Sequence, residues 1–313
     1  MQFNDDDIQF LGGTAPQPTI RKGEDMTPSL ANKKKFFSWQ RAALAVIILL
    51  LLAICAWLGW GYYQHHRWAV NFEYPVSRSS VQIITDLNKT GQIKGDSVHV
   101  FTADSIDGVT MRFYNLAGLK ASMSREMPAD SDSSVVLVTQ GWDYYFDDAK
   151  QYHFLGDFVY NGKSLARGTG KAGLVAFTKN GWQMGISQED SVRDYVLDQG
   201  GSMFRQFALV SAGQICLKQF ALKGKVHRRA LARKPGDVTA YYVETVNKES
   251  LYDFAEALAD YGFIDAVYLT GADGTEPVYR DADGILHGDL NVWTRKSNLL
   301  VFRKWKKYLL ISK

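Results

Sequence analysis

The sequence predicts an α+β protein: a single N-terminal transmembrane helix, then a β-rich mixed-sheet domain with a few helices. Three observations predict it. Ala42 to Tyr62 is an apolar run without a charge, and a helix rising about 1.5 Å per residue needs roughly 20 such residues to cross the hydrocarbon core. Downstream, short apolar or alternating runs recur between turn residues, the pattern of paired strands. Helical spacing that ends in glycine is confined there to Ser187 to Gln199 and Ser250 to Tyr261.

The apolar run divides the chain into a cytoplasmic tail (1–40), the transmembrane helix (41–63), a linker and domain entry (64–97) and an extracytoplasmic domain (98–313). Asp5 to Asp7, Gly12, Gly13 and three prolines in the tail predict disorder. Lys33, Lys34, Lys35 and Arg41 precede the run, so the positive-inside bias keeps the N-terminus cytoplasmic and the main domain periplasmic or extracellular. Trp57, Trp60, Tyr62 and Tyr63 suit its interfacial end. A cleaved signal peptide would have a shorter apolar core and no such tail. A lipoprotein reading of Leu52 to Cys55 is disfavoured by bulky Ile54 before the cysteine.

Of the 313 residues 46% are hydrophobic, enough for one sizeable core after the anchor. The net charge of +3 lacks the basic footprint of a nucleic-acid binder. Cys55 lies in the span and Cys216 is alone in the domain, so no intradomain disulfide is expected. His153, His227 and His287 lack metal spacing, and neither a metal nor a cofactor is expected.

Taken in order, Val81 to Leu87 suits a short helix or a strand. From Val98 the pattern turns to β, with Val109, Met111 and Phe113 alternating with Thr110, Arg112 and Tyr114. Val135 to Thr139 reads as a buried strand. Strands follow at Asp157 to Tyr160, Gly173 to Thr178, Trp182 to Ile186, Gln206 to Ser211 and Val226 to Ala232, with turn signals at Asn161-Gly162, Asn180-Gly181 and Gly213. Val238 to Val246, the helix Ser250 to Tyr261 and Asp265 to Leu269 form a strand, helix, strand unit running into Thr270 to Thr275. A loop at that end of a strand, where glycine admits a ligand to the backbone, is the natural seat of chemistry. Asp281 to Gly284 fails calcium-loop spacing and reads as a hairpin turn; Arg303 to Lys307 also reads as a turn.

These blocks, in this order, resemble the phosphodiester glycosidase family, the relatives of the enzyme that removes N-acetylglucosamine from a phosphodiester. The resemblance runs from Val135 to Phe302. It includes the turn Thr139-Gln140-Gly141-Trp142, Tyr160 to Lys163, Phe207 to Gln214, His227-Arg228-Arg229-Ala230-Leu231, Leu251 to Thr275 and Asn298 to Phe302. It implies a membrane-anchored, divergent member acting on a sugar phosphodiester or an anionic envelope glycan. Gln140, Gly141, Arg228, Thr270 and Gly271 would bind substrate, Arg228 because a guanidinium donates two hydrogen bonds to one phosphate.

Thr270 stands where the family has aspartate, and Gln140 where it has asparagine. Threonine is no general acid, so carboxylate chemistry would fall to Asp273, Asp265 or Asp143, the last in an aromatic stretch that suits either a sugar platform or a solvated acidic loop. Three readings stay open: a hydrolase, an inactive relative that binds a glycan or a partner, and a structural envelope protein. The basic block from Lys218 to Lys234 is either a solvated face or an electropositive rim. The oligomeric state is left open.

Overall fold

The apolar run forms helix α1 (Leu30–His66), within which Arg41–Tyr62, mean hydropathy 2.8, is long and apolar enough to cross a membrane. A computed structural model describes residues 30–66, 74–90, 92–168, 170–217, 224–293 and 295–305. The predicted tail lies outside these through residue 29, but Leu30 to Gln40, expected to be disordered, is helical. No proline follows Pro28 there, and alanine and three lysines favour helix. Most of the predicted turn from Arg303 to Lys307 lies at or beyond the last described residue, Trp305.

The chain divides into Met1–Gly61 and Tyr62–Lys313, and among the described residues the second unit holds all the strands. Helix α2 (Ser80–Thr90) precedes β1 (His99–Ile106), β2 (Val109–Asn115), β3 (Lys120–Ser124) and β4 (Val135–Gln140). A hairpin, β5 (Tyr144–Phe146) and β6 (Tyr152–Phe154), leads to β7 (Phe158–Tyr160), β8 (Lys163–Ala166), β9 (Gly173–Thr178) and β10 (Gly181–Ile186). Then come α3 (Ser191–Asp198), β11 (Ser202–Gln206), β12 (Ala208–Ser211), β13 (Gln214–Ile215), β14 (Arg229–Arg233) and β15 (Tyr241–Thr245). The chain continues with α4 (Leu251–Asp260), β16 (Asp265–Leu269), β17 (Val278–Arg280), β18 (Leu286–His287), α5 (Leu290–Trp293) and β19 (Leu299–Arg303).

Among the described residues these form a seven-stranded sheet, β1-β2-β15-β14-β16-β12-β13, and two five-stranded sheets, β10-β9-β11-β7-β8 and β18-β17-β4-β19-β3. Every ladder is antiparallel; β15 and β16 run parallel only across the intervening β14. The domain is thus α+β, as the sequence predicts.

Alternation decides the layers. Val109, Met111, Phe113, Ala230, Ala232 and Val243 point to one face of the large sheet, where Leu251, Phe254 and Leu258 of α4 cover them. Ser250 caps α4 by accepting from the Asp253 amide at 3.0 Å, and Gly262, at φ 92°, follows its end. On the other face Tyr114, Leu231, Tyr242, Val267 and Leu269 meet Val175, Phe204 and Met184 of the second sheet and Leu137, Leu300 and Phe302 of the third. Helices α2 and α3 close the far side through Ile83, Leu87, Val192 and Val196. Ile83 and Leu87 lie one helical turn apart, which settles that segment as helix.

Two boundaries differ from expectation for local reasons. Helix α3 begins at Ser191 rather than Ser187 because the carbonyls of Ser187 and Glu189 accept from buried Arg205. The predicted strand Gln206 to Ser211 is two strands, β11 and β12, belonging to different sheets, and the chain crosses between them at Phe207. Asp281 closes the β17–β18 hairpin, its carboxylate accepting from the amides of Asp283 at 3.0 Å and Ile285 at 2.9 Å.

Candidate functional site

The three sheets converge where β16 ends. The Thr270 amide donates to the Gly141 carbonyl at 3.2 Å, tying the loop after β16 to the end of β4, and the Gly141 amide donates to Asn298 at 2.8 Å. Gly141 is packed so closely on Leu300 that an added Cβ would lie 2.9 Å from its Cγ. The Thr270 hydroxyl donates to Asp143 Oδ1, while Lys171 Nζ holds Asp143 Oδ2 at 2.9 Å. Burial pushes the Asp143 carboxyl up, but Lys171 and hydrogen bonds from Thr270 and Gln206 outweigh it and hold the group below the usual carboxylate range.

On the other side of the loop lies Arg229, 2% exposed. In the ladders Arg112 stands opposite Glu244 and Glu244 opposite Arg229, so three charged side chains form one row across β2, β15 and β14. Glu244 accepts from Arg112 at 3.2 Å and from the hydroxyls of Tyr114 at 2.8 Å and Tyr242 at 3.2 Å. Burial pushes the Glu244 carboxyl up against the pull of these donors. The Arg229 Nη2 group donates to the Thr275 carbonyl. Its Nε and Nη1 are buried with no hydrogen-bond partner; Glu244 Oε2 and Asp273 Oδ1 stand off at 3.9 Å.

The loop is shaped around this guanidinium. Gly271 has φ 143°, and a Cβ there would collide with Arg229, so glycine is required on both counts. Asp273 accepts from Lys296, from the Thr275 amide at 3.2 Å and from Gln140 Nε2 at 3.4 Å. Partial burial opposes ionisation, yet Lys296, the Thr275 amide and Arg229 lower its carboxyl to about 2.

The structure therefore brings together Gln140, Gly141, Asp143, Thr270, Gly271 and Asp273. It does not bring Asp265 there. Asp265 begins β16, fully buried, bonded to Arg233 Nη2 at 2.5 Å and Nε at 3.2 Å and to the Ser77 hydroxyl. It belongs to a structural ion pair at the opposite end of the strand. Arg228 is corrected as well: successive strand residues face opposite ways, and its guanidinium donates to the carbonyls of Glu249 at 2.9 Å and Gly224 at 2.6 Å. The arginine on the loop side is Arg229.

Sequence reasoning singled out neither Arg229 nor Lys171, Gln206, Glu244 or Lys296. For Arg229 a signal existed: with Leu231 inward, strand parity places Arg229, not Arg228, on the inner face. Lys171 and Lys296 come from separate loops and Gln206 from the end of β11, and they carry no local signal.

The site is thus a buried arginine and two ionised carboxylates gathered around a glycine-bearing loop in a three-sheet α+β domain. The structure is similar to the zebrafish N-acetylglucosamine-1-phosphodiester alpha-N-acetylglucosaminidase catalytic domain auto-inhibited by pro-peptide, at 15% identity and TM-score 0.45, covering 75% of this chain and 88% of that one. A hypothetical protein from Synechocystis is similar at 12% identity and TM-score 0.45, covering 66% of this chain and 62% of that one. Neither likeness, at these values, assigns a family or an activity. No family profile and no curated protein sequence matches the chain.

Proposed function

We propose that this is a membrane-anchored protein of phosphodiester-glycosidase type, with its β-rich domain outside the cytoplasm, that takes a sugar phosphodiester of the cell envelope at Arg229 and the Gly271–Thr275 loop. The observation that carries the proposal is the Arg229 guanidinium, 2% exposed with two N–H groups unpaired. A buried unsatisfied donor is costly to the fold and is the kind of group a phosphate oxygen would complete.

The resemblance in residue order supplies the reaction class, hydrolysis of the bond between a sugar and its phosphate. Asp143, ionised and partly open to solvent, takes a proton from water as the water oxygen bonds the anomeric carbon. The bond from that carbon to the phosphate oxygen breaks, and its electron pair leaves on the phosphate, which Arg229 stabilises. A departing phosphate monoester, whose second ionisation lies at about pH 6, needs no proton donor, which suits a site whose carboxylates are both held ionised. A second reading, binding without turnover, is favoured by the saturation of Asp143: Thr270 and Lys171 occupy both its oxygens and weaken it as a base.

The full chain in detergent micelles, titrated with the methyl phosphodiester of a sugar 1-phosphate, tests both. Arg229→Lys lowers affinity at least about tenfold, the loss expected for a two-pronged contact, while Arg228→Lys leaves it unchanged. Turnover that Asp143→Asn abolishes with binding retained supports the hydrolase, and binding without turnover supports the second reading. A wild-type chain that does not bind the diester overturns both.

A further inference from the structure

Beside Arg229 a cleft of about 70 Å³ opens between Arg112, His227, Glu244, Gly274 and Glu276. A cavity of about 10–15 Å³ on this measure holds one water, so the cleft has room for several waters or one tetrahedral oxyanion. Three of its walls are basic side chains. Arg112 and Arg229 both flank Glu244, which sits between them in the cross-strand row, its carboxylate fixed by Tyr114 and Tyr242. The second carboxylate at the cleft, Glu276, is 69% exposed and lies 3.6 Å from Arg112 Nη1. Beyond the cleft wall, Asp273 faces Arg229 Nη1 at 3.9 Å.

We propose that this cleft is the seat of the phosphate group, with Arg112 as a second contact residue, Glu244 as the positioning residue that orients both guanidiniums, and Glu276 as an internal occupant that the incoming phosphate displaces. The inference rests on the reading of Arg229 given above and adds a residue, a competitor and a location to it. The Glu276 carboxylate is exposed and meets Arg112 at 3.6 Å, so an oxyanion offering oxygens to two arginines at once outcompetes a single carboxylate at the rim. Glu244 is not displaced, because three donors hold it within the sheet.

Titration of the full chain with inorganic phosphate, followed by ³¹P line broadening, and then with the sugar phosphodiester as displacing ligand tests this. Glu276→Gln tightens phosphate about three- to tenfold by removing the competitor, and Arg112→Gln weakens it about tenfold. Glu276→Gln alters only an exposed side chain, so it reads the site even if Arg112→Gln fails to fold. Displacement of phosphate by the diester supports a single seat for both. Unchanged affinity in Glu276→Gln, or phosphate that the diester does not displace, overturns the inference. Binding of the diester that depends on Arg229 but not on Glu276 or Arg112 overturns it while leaving the proposed function standing; absence of diester binding in the wild type overturns both.

Discussion

Strands β14 and β16 carry an arginine–carboxylate cluster at each end, on the same face of the same ladder, and the two clusters differ in saturation. At one end Arg233 stands opposite Asp265 and binds it through Nη2 and Nε. Arg78, beside them, donates through Nη1 to Asp86 at 2.9 Å and through Nη2 to the Met184 carbonyl, so that a single nitrogen, Nε, is without a hydrogen bond, 3.9 Å from Asp265. At the other end Arg229 has one bonded nitrogen and two without partners, beneath a loop whose glycine packs directly against the guanidinium. A closed cluster fixes the chain; an open one has hydrogen-bonding capacity left for a ligand.

The largest expected effect tests the closed end. Asp265→Asn removes the counter-charge of Arg233 and one of the two beside Arg78, residues 4% and 7% exposed, and costs about 3–5 kcal/mol, the range for breaking a buried pair from one side. Chemical denaturation of the full chain in micelles measures it. The folded fraction still binds the phosphodiester, because the cluster lies at the far end of the strand. A loss below about 1 kcal/mol would mean that this end is no more structural than a surface pair and would remove the contrast.

How much of this was legible in the sequence follows from the same contrast. The α4 unit and the alternation of Val109, Met111 and Phe113 were readable because each is a local period with an apolar face. The alternation also misled, since its polar partner Tyr114 does not face water and Arg112 does so only in part. Tyr114 is fully buried, and both point into the space between sheets, where the second core and the charged row lie. Asp265 looked like a site residue because it precedes the glycine loop closely, yet a strand separates them, and sequence distance says nothing about which end of a ladder a residue occupies. Asp143 was singled out from its aromatic neighbours, and the loop from its glycine. Their partners Lys171 and Lys296 come from other loops and Gln206 from the end of β11, and only the meeting of three sheets brings them in.

The next effect in size concerns the open end. Gly271→Ala places a Cβ against the Arg229 guanidinium at a positive φ, costing about 1–3 kcal/mol of backbone strain and pushing the guanidinium out of register. Phosphodiester affinity falls about tenfold or more by isothermal titration, whereas Gly141→Ala, which meets only the flexible Leu300 side chain, has a smaller effect. Equal losses in the two variants would show that the loop serves packing and not the arginine.

The smallest effect asks which cation holds Asp273, and so whether Arg229 is free. Lys296 is bonded to Asp273 and Arg229 stands off at 3.9 Å, so Lys296 should carry most of the depression of its carboxyl to about 2. A native value below the ordinary aspartate value of about 3.9 means that the unfolded chain binds the proton more tightly. The contribution to stability is therefore fully present above about pH 4 and is lost as pH falls toward 2. With its side chain 41% exposed, screening keeps that contribution within the range of a surface pair, about 0–1 kcal/mol. Lys296→Met should raise the Asp273 carboxyl toward its ordinary value in an NMR titration, and with the native and unfolded values brought together the acid-dependent contribution between about pH 4 and 2 should disappear. A carboxyl still near 2 without Lys296 would make Arg229 its true partner. The Nη1 group would then be committed to Asp273, and the open end of the ladder would be as closed as the other.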